Sequence, residues 1–264
     1  MAALDGVGHA FLDDSLPLAF AHRGGSGTAG NVGIENSLAA FAHAYALGYR
    51  YFETDVRVSS DGVVYAIHDE YLERLTGSPD AVAASTAESL DLQRLDQREP
   101  FVRLGALFDA FPGARLNIDI KCDDALDPTC RVVQSHDAVA RTLLASFSHR
   151  RLRRVRHRLP GVATSASSLE ATLIKLLPGF LLRLRRGAGP VCVQVPAVHG
   201  RVRVVTRRFV RKIHRLGLQV HVWTIDDADE MHELLDLGVD GIITDRTDLL
   251  KDVLVSRGTW KEPA

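Results

Sequence analysis

The sequence predicts an α/β fold in which eight parallel strands, each followed by a helix, close into a barrel. Three observations predict it. Short runs rich in Val, Ile and Phe alternate with amphipathic stretches of helical spacing, the rhythm of repeated βα units around a parallel sheet. Eight such runs occur in 264 residues, the length at which eight βα units fill one domain. Charged and polar residues gather at the carboxyl ends of several of these runs, which is where a barrel of this kind builds its site.

The eight strands are expected at LAFAHR (18–23), YRYFETDV (49–56), LNIDIK (116–121), TLLASFS (142–148), VATSA (162–166), VCVQVP (191–196), LQVHVWTI (218–225) and GIITD (241–245). Helices are expected between them at ENSLAAFAHAYALG (35–48), HRRLRRVRHRL (149–159), TRRFVRKIHRLG (206–217) and DDADEMHELLDLG (226–238). The first and the last two close on Gly48, Gly217 and Gly238, residues suited to the left-handed turn that ends a helix. A ninth apolar run, VVYAIHD (63–69), follows the second strand after only SSDG. No crossover helix fits in that gap, so the run is expected to return antiparallel as a hairpin, with His68 roughly opposite Asp55. Residues 70–115 then form a small insertion and a helix around LGALFDAF. With a lead at 1–17 and a tail at 256–264, residues 18–255 are expected to fold as a single unit.

Composition narrows the class of protein. A chain that is 46% hydrophobic and 25% charged is neither disordered, collagenous nor a coiled coil. Its apolar stretches break at Lys, Arg, Gly or Pro short of the roughly 18–20 residues a spanning helix needs, so no transmembrane helix is expected. The opening MAALDGVGHAFLDDS lacks a basic leader and apolar core, which points to a cytoplasmic protein. Three cysteines, Cys122, Cys130 and Cys192, with no CxxC pair, read as reduced and structural.

The net charge of −1 hides a strong segregation. From residue 149 to 215, seventeen Arg and Lys face one acid, Glu170. Clusters such as HRRLRRVRHR read as solvated outer helix faces, with attraction to anionic lipid headgroups as the alternative. No aromatic interleaving or binding motif accompanies them, so no nucleic-acid partner is expected. The stretch TLIKLLPGFLLRLRR (172–186) is more apolar than an outer helix requires and is split by Pro178. It reads either as a barrel helix packed on the fifth and sixth strands plus a loop, or as a peripheral membrane segment that draws lysophospholipid to the site.

The chemistry concentrates at the strand ends. His22 and Arg23 close the first strand, Glu53 and Asp55 the second, Asp119 and Lys121 the third, and Trp223 and Asp226 the seventh. Residues two apart on a strand share a face, so these side chains can point into one mouth. Three carboxylates facing each other repel unless a cation holds them ionised, and an all-oxygen donor set suits Mg²⁺ or Ca²⁺. His22 and His68 are the candidates for proton transfer, since imidazole titrates near neutrality; His43, His149, His157, His214 and His232 read as helix-face residues. Arg23 can grip a phosphate and Lys121 can face an oxyanion, with an ion pair from Lys121 to Asp119 or Glu53 as the lesser alternative. Glu35 reads either as a first-turn helix acid or as a residue that orients His22 or Arg23.

Together these residues resemble the glycerophosphodiester phosphodiesterase family. The matching pieces are AHRGG (21–25), IENSLAAF (34–41), FETDVRVSSDG (52–62), AIHDEYLERLTG (66–77), LNIDIK (116–121), VHVWTID (220–226) and GVDGIITD (238–245), which span almost the whole chain in order. The resemblance implies a (β/α)8 TIM barrel of the phospholipase C-like phosphodiesterase type with a small insertion after strand two. It implies a bound divalent metal and hydrolysis of small-molecule glycerophosphodiesters to an alcohol and sn-glycerol 3-phosphate. By position it makes Glu53, Asp55 and Asp119 the metal ligands, His22 and His68 the acid–base pair, and Arg23 and Lys121 the phosphate contacts, with Trp223 as a pocket wall. One departure is Asp119, where the family usually has Glu; the shorter side chain requires the ion or strand to shift, or a water to bridge. An Asp followed two residues later by Lys also resembles the spider-type sphingomyelinase D group, but ENSLAAF and WTID favour the glycerophosphodiesterase branch. The attacking group, water or the substrate's own glycerol hydroxyl, stays open. A lysophospholipase D with the same site is the alternative activity, and a catalytically silent phosphate-binding protein is disfavoured because both histidines and all three acids are present.

Overall fold

A computed structural model of the chain describes residues 9–177 and 189–262. Eight of its strands run parallel: β1 (Leu18–His22), β2 (Tyr51–Val58), β4 (Arg115–Ile120), β5 (Thr142–Ala145), β6 (Ala163–Thr164), β7 (Cys192–Pro196), β8 (Gln219–Trp223) and β9 (Gly241–Thr244). β3 (Val64–Ala66) pairs antiparallel with β2. The spatial order is β6-β5-β4-β2-β1-β9-β8-β7. The two ends of that order meet through a parallel bridge between Ser165 and Cys192, where Val191 N donates to Thr164 O and Ala166 N donates to Cys192 O, both at 2.9 Å. The barrel expected from the sequence is therefore the one observed.

Among the described residues, eight helices surround it: α1 (Leu38–Ala46), α2 (Leu104–Ala110), α3 (Leu126–Ser135), α4 (His149–Arg158), α5 (Ser168–Leu176), α6 (Arg207–His214), α7 (Ala228–Leu237) and α8 (Thr247–Ser256). The outward residues of the strands, among them Phe52, Leu116, Ile118, Val193, Val220 and Ile242, pack with helix residues such as Phe41, Leu107, Val155, Ile213 and Leu250 in one apolar layer. The inward residues Leu18, Phe20, Tyr51, Leu143, Ala163, Cys192 and Ile243 form a second core inside the barrel. Phe11, on the 3₁₀ turn Ala10–Leu12, belongs to that inner core: its ring meets Tyr51 edge to face at 5.5 Å, and Tyr51 Oη donates to its carbonyl at 3.0 Å. One end of the barrel is thus filled with apolar side chains. Moving along β1, β2 and β4 in steps of two from that end, the next inward positions are His22, Glu53, Asp55, Asn117 and Asp119.

The hairpin after β2 is present, and its register refines the expectation. Val56 pairs with Ala66 and Ile67 N donates to Asp55 O at 2.9 Å, so Ile67 lies opposite Asp55 and His68 follows one residue later. The insertion carries its own core of Ile34, Tyr65, Ile67, Leu72, Leu90, Leu95 and Phe101, held by two short helices, Glu73–Thr76 and Ala87–Leu92. Strand 142–148 stops at Ala145, since Ser146 turns its hydroxyl onto Ile120 O. The three cysteines are free thiols, with Cys130 and Cys192 buried. Among the described residues, no helix is long and apolar enough to cross a membrane. Of the stretch 172–186, residues 172–176 complete α5, while 178–186, including Leu181 and Leu182, lie outside the described residues.

Glu170, the one acid in the basic half, is structural. It forms a capping box with Ser167 at the start of α5 and receives both terminal nitrogens of Arg156 from α4 at 2.7 and 3.2 Å. Burial works to raise its pKa, but Arg156 and the Ser167 backbone hold it below the ordinary carboxylate value. A carboxyl with a depressed pKa adds stability above its unfolded pKa and loses it as pH falls through the folded one. Glu170→Gln is therefore expected to cost about 1–3 kcal/mol at pH 7. In urea unfolding the gap between the two proteins should close as pH drops below the unfolded carboxyl pKa of about 4.3; a gap that persists at pH 3 would contradict the assignment.

Candidate active site

A cavity of about 600 Å³ opens at the carboxyl ends of the strands. One wall is ionic, with His22, Arg23, Glu53, Asp55, His68, Asp119 and Lys121; the other is largely apolar, with Phe147, Val195, Val204, Phe209 and Trp223. Every residue the sequence assigned to catalysis, phosphate or metal thus lines one space, as does Trp223. Glu35 is set behind it.

Local backbone conformation explains how β1 delivers its pair. Arg23 takes a φ of +50°, and Gly24 and Gly25 follow at +85° and +81°. A Cβ on Gly24 would come within 2.7 Å of Ala40 Cβ, and one on Gly25 within 2.7 Å of Thr247, so this turn is pressed onto α1 and α8. Arg23 is held on both sides, its N–H donating to Glu53 O at 2.9 Å and its carbonyl accepting from Asn36 N at 2.8 Å. Such a left-handed non-glycine residue persists only where its surroundings impose it.

The ionic wall is one connected network. Lys121 Nζ lies 2.7 Å from both Asp55 Oδ1 and Asp119 Oδ2. Arg23 Nε sits 2.9 Å from Asp55 Oδ2, misaligned for a hydrogen bond, so this contact is Coulombic, and Arg23 Nη1 donates to Glu35 at 3.1 Å. His22 Nδ1 meets Asp245 Oδ1 at 2.8 Å, which leaves its Nε2 3.7 Å from Glu53 Oε2. His68 Nδ1 meets Asp69 Oδ1 at 2.6 Å. Arg74, from the insertion, donates to Asp69 at 2.6 Å and grips both oxygens of Glu35 at 2.7 Å.

These charges shift one another. Burial, reinforced by Asp55, pushes Glu53 up to about 8. Burial also raises Asp119 against the pull of Lys121. Burial acts the same way on Asp55, but Lys121 and Arg23 overcome it and hold Asp55 below its ordinary value. For His22 burial favours the neutral ring, yet Glu53 and Asp245 outweigh it and raise the pKa.

Three buried carboxylate oxygens, Glu53 Oε2, Asp55 Oδ2 and Asp119 Oδ1, have no hydrogen-bond partner. Buried carboxylate oxygens are rarely left so. One comes from each acid expected to bind metal, and oxygen-only donors are those a hard divalent cation takes. Among the described residues no three His, Cys, Asp or Glu groups are drawn into a ready-made metal cage. The donor chemistry fits Mg²⁺ or Ca²⁺, while Lys121 stands between Asp55 and Asp119 as the protein's own cation.

Asp245, Asp69, Arg74 and Phe147 are among the residues at the site that were not singled out from the sequence. Asp245 ends β9 as the other strand-end acids end theirs, so the same rule applied to GIITD would have found it; Asp226 fixes it by accepting from Asp245 N at 2.8 Å. Asp69 and Arg74 carry no periodic signal, because their placement depends on how the insertion folds back. Phe147 is exposed and meets Trp223 edge to face at 6.1 Å.

Residues 22–249 match the model of the glycerophosphoryl diester phosphodiesterase family. A Mycobacterium tuberculosis protein named Probable glycerophosphodiester phosphodiesterase 2 is 41% identical over 256 residues, 95% of this chain and 95% of its own length. The solved glycerophosphodiester phosphodiesterase of Agrobacterium tumefaciens superposes with a TM-score of 0.73 at 26% identity, over 91% of this chain and 100% of that one. An Oleispira antarctica phosphodiesterase, solved in complex with the product sn-glycerol-3-phosphate, shares the fold with a TM-score of 0.75 at 22% identity, over 91% of this chain and 97% of that one.

The ion chain through Arg74 predicts a local effect. Arg74→Met removes the shared cation of Glu35 and Asp69 and should raise amide hydrogen exchange across residues 67–77 about tenfold, with the β1, β2 and β4 amides unchanged. Unchanged exchange in 67–77 would show that the insertion is held by its apolar core alone.

Proposed function

The chain belongs to the glycerophosphoryl diester phosphodiesterase family, and from that premise we propose that it hydrolyses glycerophosphodiesters to an alcohol and sn-glycerol 3-phosphate with a divalent metal and two histidines. The observation that carries this reading is the set of three buried carboxylate oxygens that accept no hydrogen bond, in one cavity with two imidazoles, a guanidinium and an ammonium.

Arg23 and Lys121 supply fixed positive charge where the phosphate binds. Glu53, Asp55 and Asp119 would hold Mg²⁺ or Ca²⁺, and the ion would supply further neutralisation of the phosphate oxygens. Both histidines are held at Nδ1 by a carboxylate, Asp245 for His22 and Asp69 for His68. That contact places the Nδ1 proton on the carboxylate side and leaves each Nε2 to exchange a proton with substrate. One imidazole takes the proton of the attacking hydroxyl, from water or from the substrate's glycerol; the other protonates the departing alkoxide. Trp223 and Phe147 wall the cavity beside these groups. The apolar wall also favours a second reading, a lysophospholipase D activity in which a lysophospholipid lays its acyl chain against Val204 and Phe209.

The test is release of glycerol 3-phosphate from glycerophosphocholine, alongside choline release from lysophosphatidylcholine, each with Mg²⁺, with Ca²⁺ and with a chelator. Turnover of the first substrate that is lost in chelator supports the main reading; turnover of the lysolipid alone moves the activity to the second. His22→Ala and His68→Ala should each lower kcat by about 10²–10⁴-fold. Asp245→Asn should lower kcat with little change in KM, because it disturbs the orientation of His22 rather than a phosphate contact. Metal-independent turnover, or full activity of either alanine variant, would overturn the mechanism. A cyclic phosphate seen under single-turnover conditions would assign the attack to the glycerol hydroxyl.

A further inference from the structure

The charge segregation of the chain becomes a surface in the fold. α4 buries Leu152 and Val155 and turns Arg150, Arg153, His157 and Arg158 to solvent. Among the described residues, a cleft of about 440 Å³ on this helix is lined by His149, Arg150, Arg153, Arg154, His157 and Arg158. Arg156 is used internally on Glu170, Arg151 pairs with Asp123, and Arg154 and Arg158 share Asp127. Arg150 and Arg153 are exposed and, among the described residues, have no acidic partner within ion-pair distance. α6 repeats the pattern: Phe209, Val210 and Ile213 are buried while Arg207, Arg208, Arg211 and His214 are exposed. α5 joins the two, with Ser168 N donating to Phe147 O at 3.3 Å beside α4 and Lys212 Nζ of α6 donating to Lys175 O at 2.9 Å.

The same sector exposes apolar side chains. Of ten large hydrophobics exposed in the described residues, Phe147, Leu169, Leu176, Val198 and Val202 lie between residues 147 and 202. Phe147, Lys175 and His199 line the mouth of the cavity itself. Exposed apolar residues and arginines without acidic partners in one stretch of the chain are the surface chemistry of interfacial membrane binding, in which apolar groups enter the acyl boundary and cations meet anionic headgroups. A single-stranded nucleic-acid surface would call for stacking aromatics among the cations, and the described residues of 149–215 offer only Phe209, which is buried.

The geometry points to a membrane-facing side of the barrel, in which the basic faces of α4 and α6 and the apolar rim at the mouth dock on an anionic phospholipid bilayer. Its link to the proposed function is that the docked mouth would face the source of phosphodiester lipids; the docking itself requires no catalysis. Full-length protein is sedimented with vesicles of phosphatidylcholine alone and of phosphatidylcholine with phosphatidylglycerol, across a range of salt. Binding is expected only to the anionic vesicles and should weaken as salt rises. The double variant Arg150→Glu, Arg153→Glu should bind them at least about tenfold more weakly, since each cation at an anionic surface contributes to partitioning. Leu176→Ser, at an exposed position, should lower the binding that survives in high salt. Hydrolysis of a water-soluble glycerophosphodiester should be unchanged in these variants, so a failure of docking and a failure of the catalytic reading are separable. Absence of binding to anionic vesicles, undiminished binding by the double variant, or tighter binding to a DNA duplex at the same salt would each overturn the inference.

Discussion

The site depends on one electrostatic constraint: Glu53, Asp55 and Asp119 are buried side by side at the mouth of the barrel and need positive charge to coexist there. The chain's own answer is uneven. Asp55 receives both Lys121 and Arg23 and is held in its ionised form, Asp119 shares Lys121, and Glu53 has His22 alone within ion-pair distance, with Arg23 and Lys121 acting from farther off. That order of supply matches the order of protonation: Asp55 is depressed, while Asp119 and Glu53 are raised. A site left with an incompletely neutralised acid pair is one to which a further cation brings stabilisation, and the oxygens of Glu53 and Asp119 that accept no hydrogen bond are where that deficit appears in the geometry.

The scaffold can carry this deficit because the rest of the barrel is apolar and tightly filled. Phe11, Phe20, Tyr51, Leu143 and Ile243 occupy the interior below the acids, so the low end contributes packing and the open end contributes chemistry. The division follows from strand alternation alone: on β2, Tyr51, Glu53 and Asp55 face inward in sequence while Phe52, Thr54 and Val56 face the helices. The turn after β1 then fixes Arg23 by contacts that tolerate no side chain at Gly24 or Gly25. Rigidity at this turn lets a guanidinium reach Asp55 and Glu35 together.

Much of this was legible in the sequence because it rests on short-range periodicity. Strand positions, their inward residues and the hairpin all follow from alternation and spacing, and the structure agrees with them to within a few residues at each end. The insertion was less legible. Its helices at Glu73–Thr76 and Ala87–Leu92 are short, with cores drawn from Ile34, Tyr65 and Phe101, residues far apart in the chain. Helices α3 and α8 were also not foreseen; α3 carries Pro128 in its first turn, where proline is tolerated but reads as a breaker. Glu35 illustrates the limit: a first-turn acid and an orienting residue look alike in sequence, and only the folded insertion shows that it joins Arg23 to Arg74.

That junction gives the two histidines different dependences on the fold. His22 is braced by Asp245, an acid at the end of a barrel strand that is itself held by Asp226 and by Ser26. His68 is braced by Asp69, which is held by Arg74, which is held by Glu35, which returns to Arg23 on β1. The first imidazole is therefore positioned by the barrel directly, and the second through a chain of ion pairs that crosses from the insertion. Arg74 is half exposed, with a side-chain accessibility of 52%, so its links are more open to solvent and salt than those of Asp245. A perturbation of the insertion thus reaches the second imidazole and Arg23 together, through Arg74 and Glu35, while the barrel contacts of His22 stay in place.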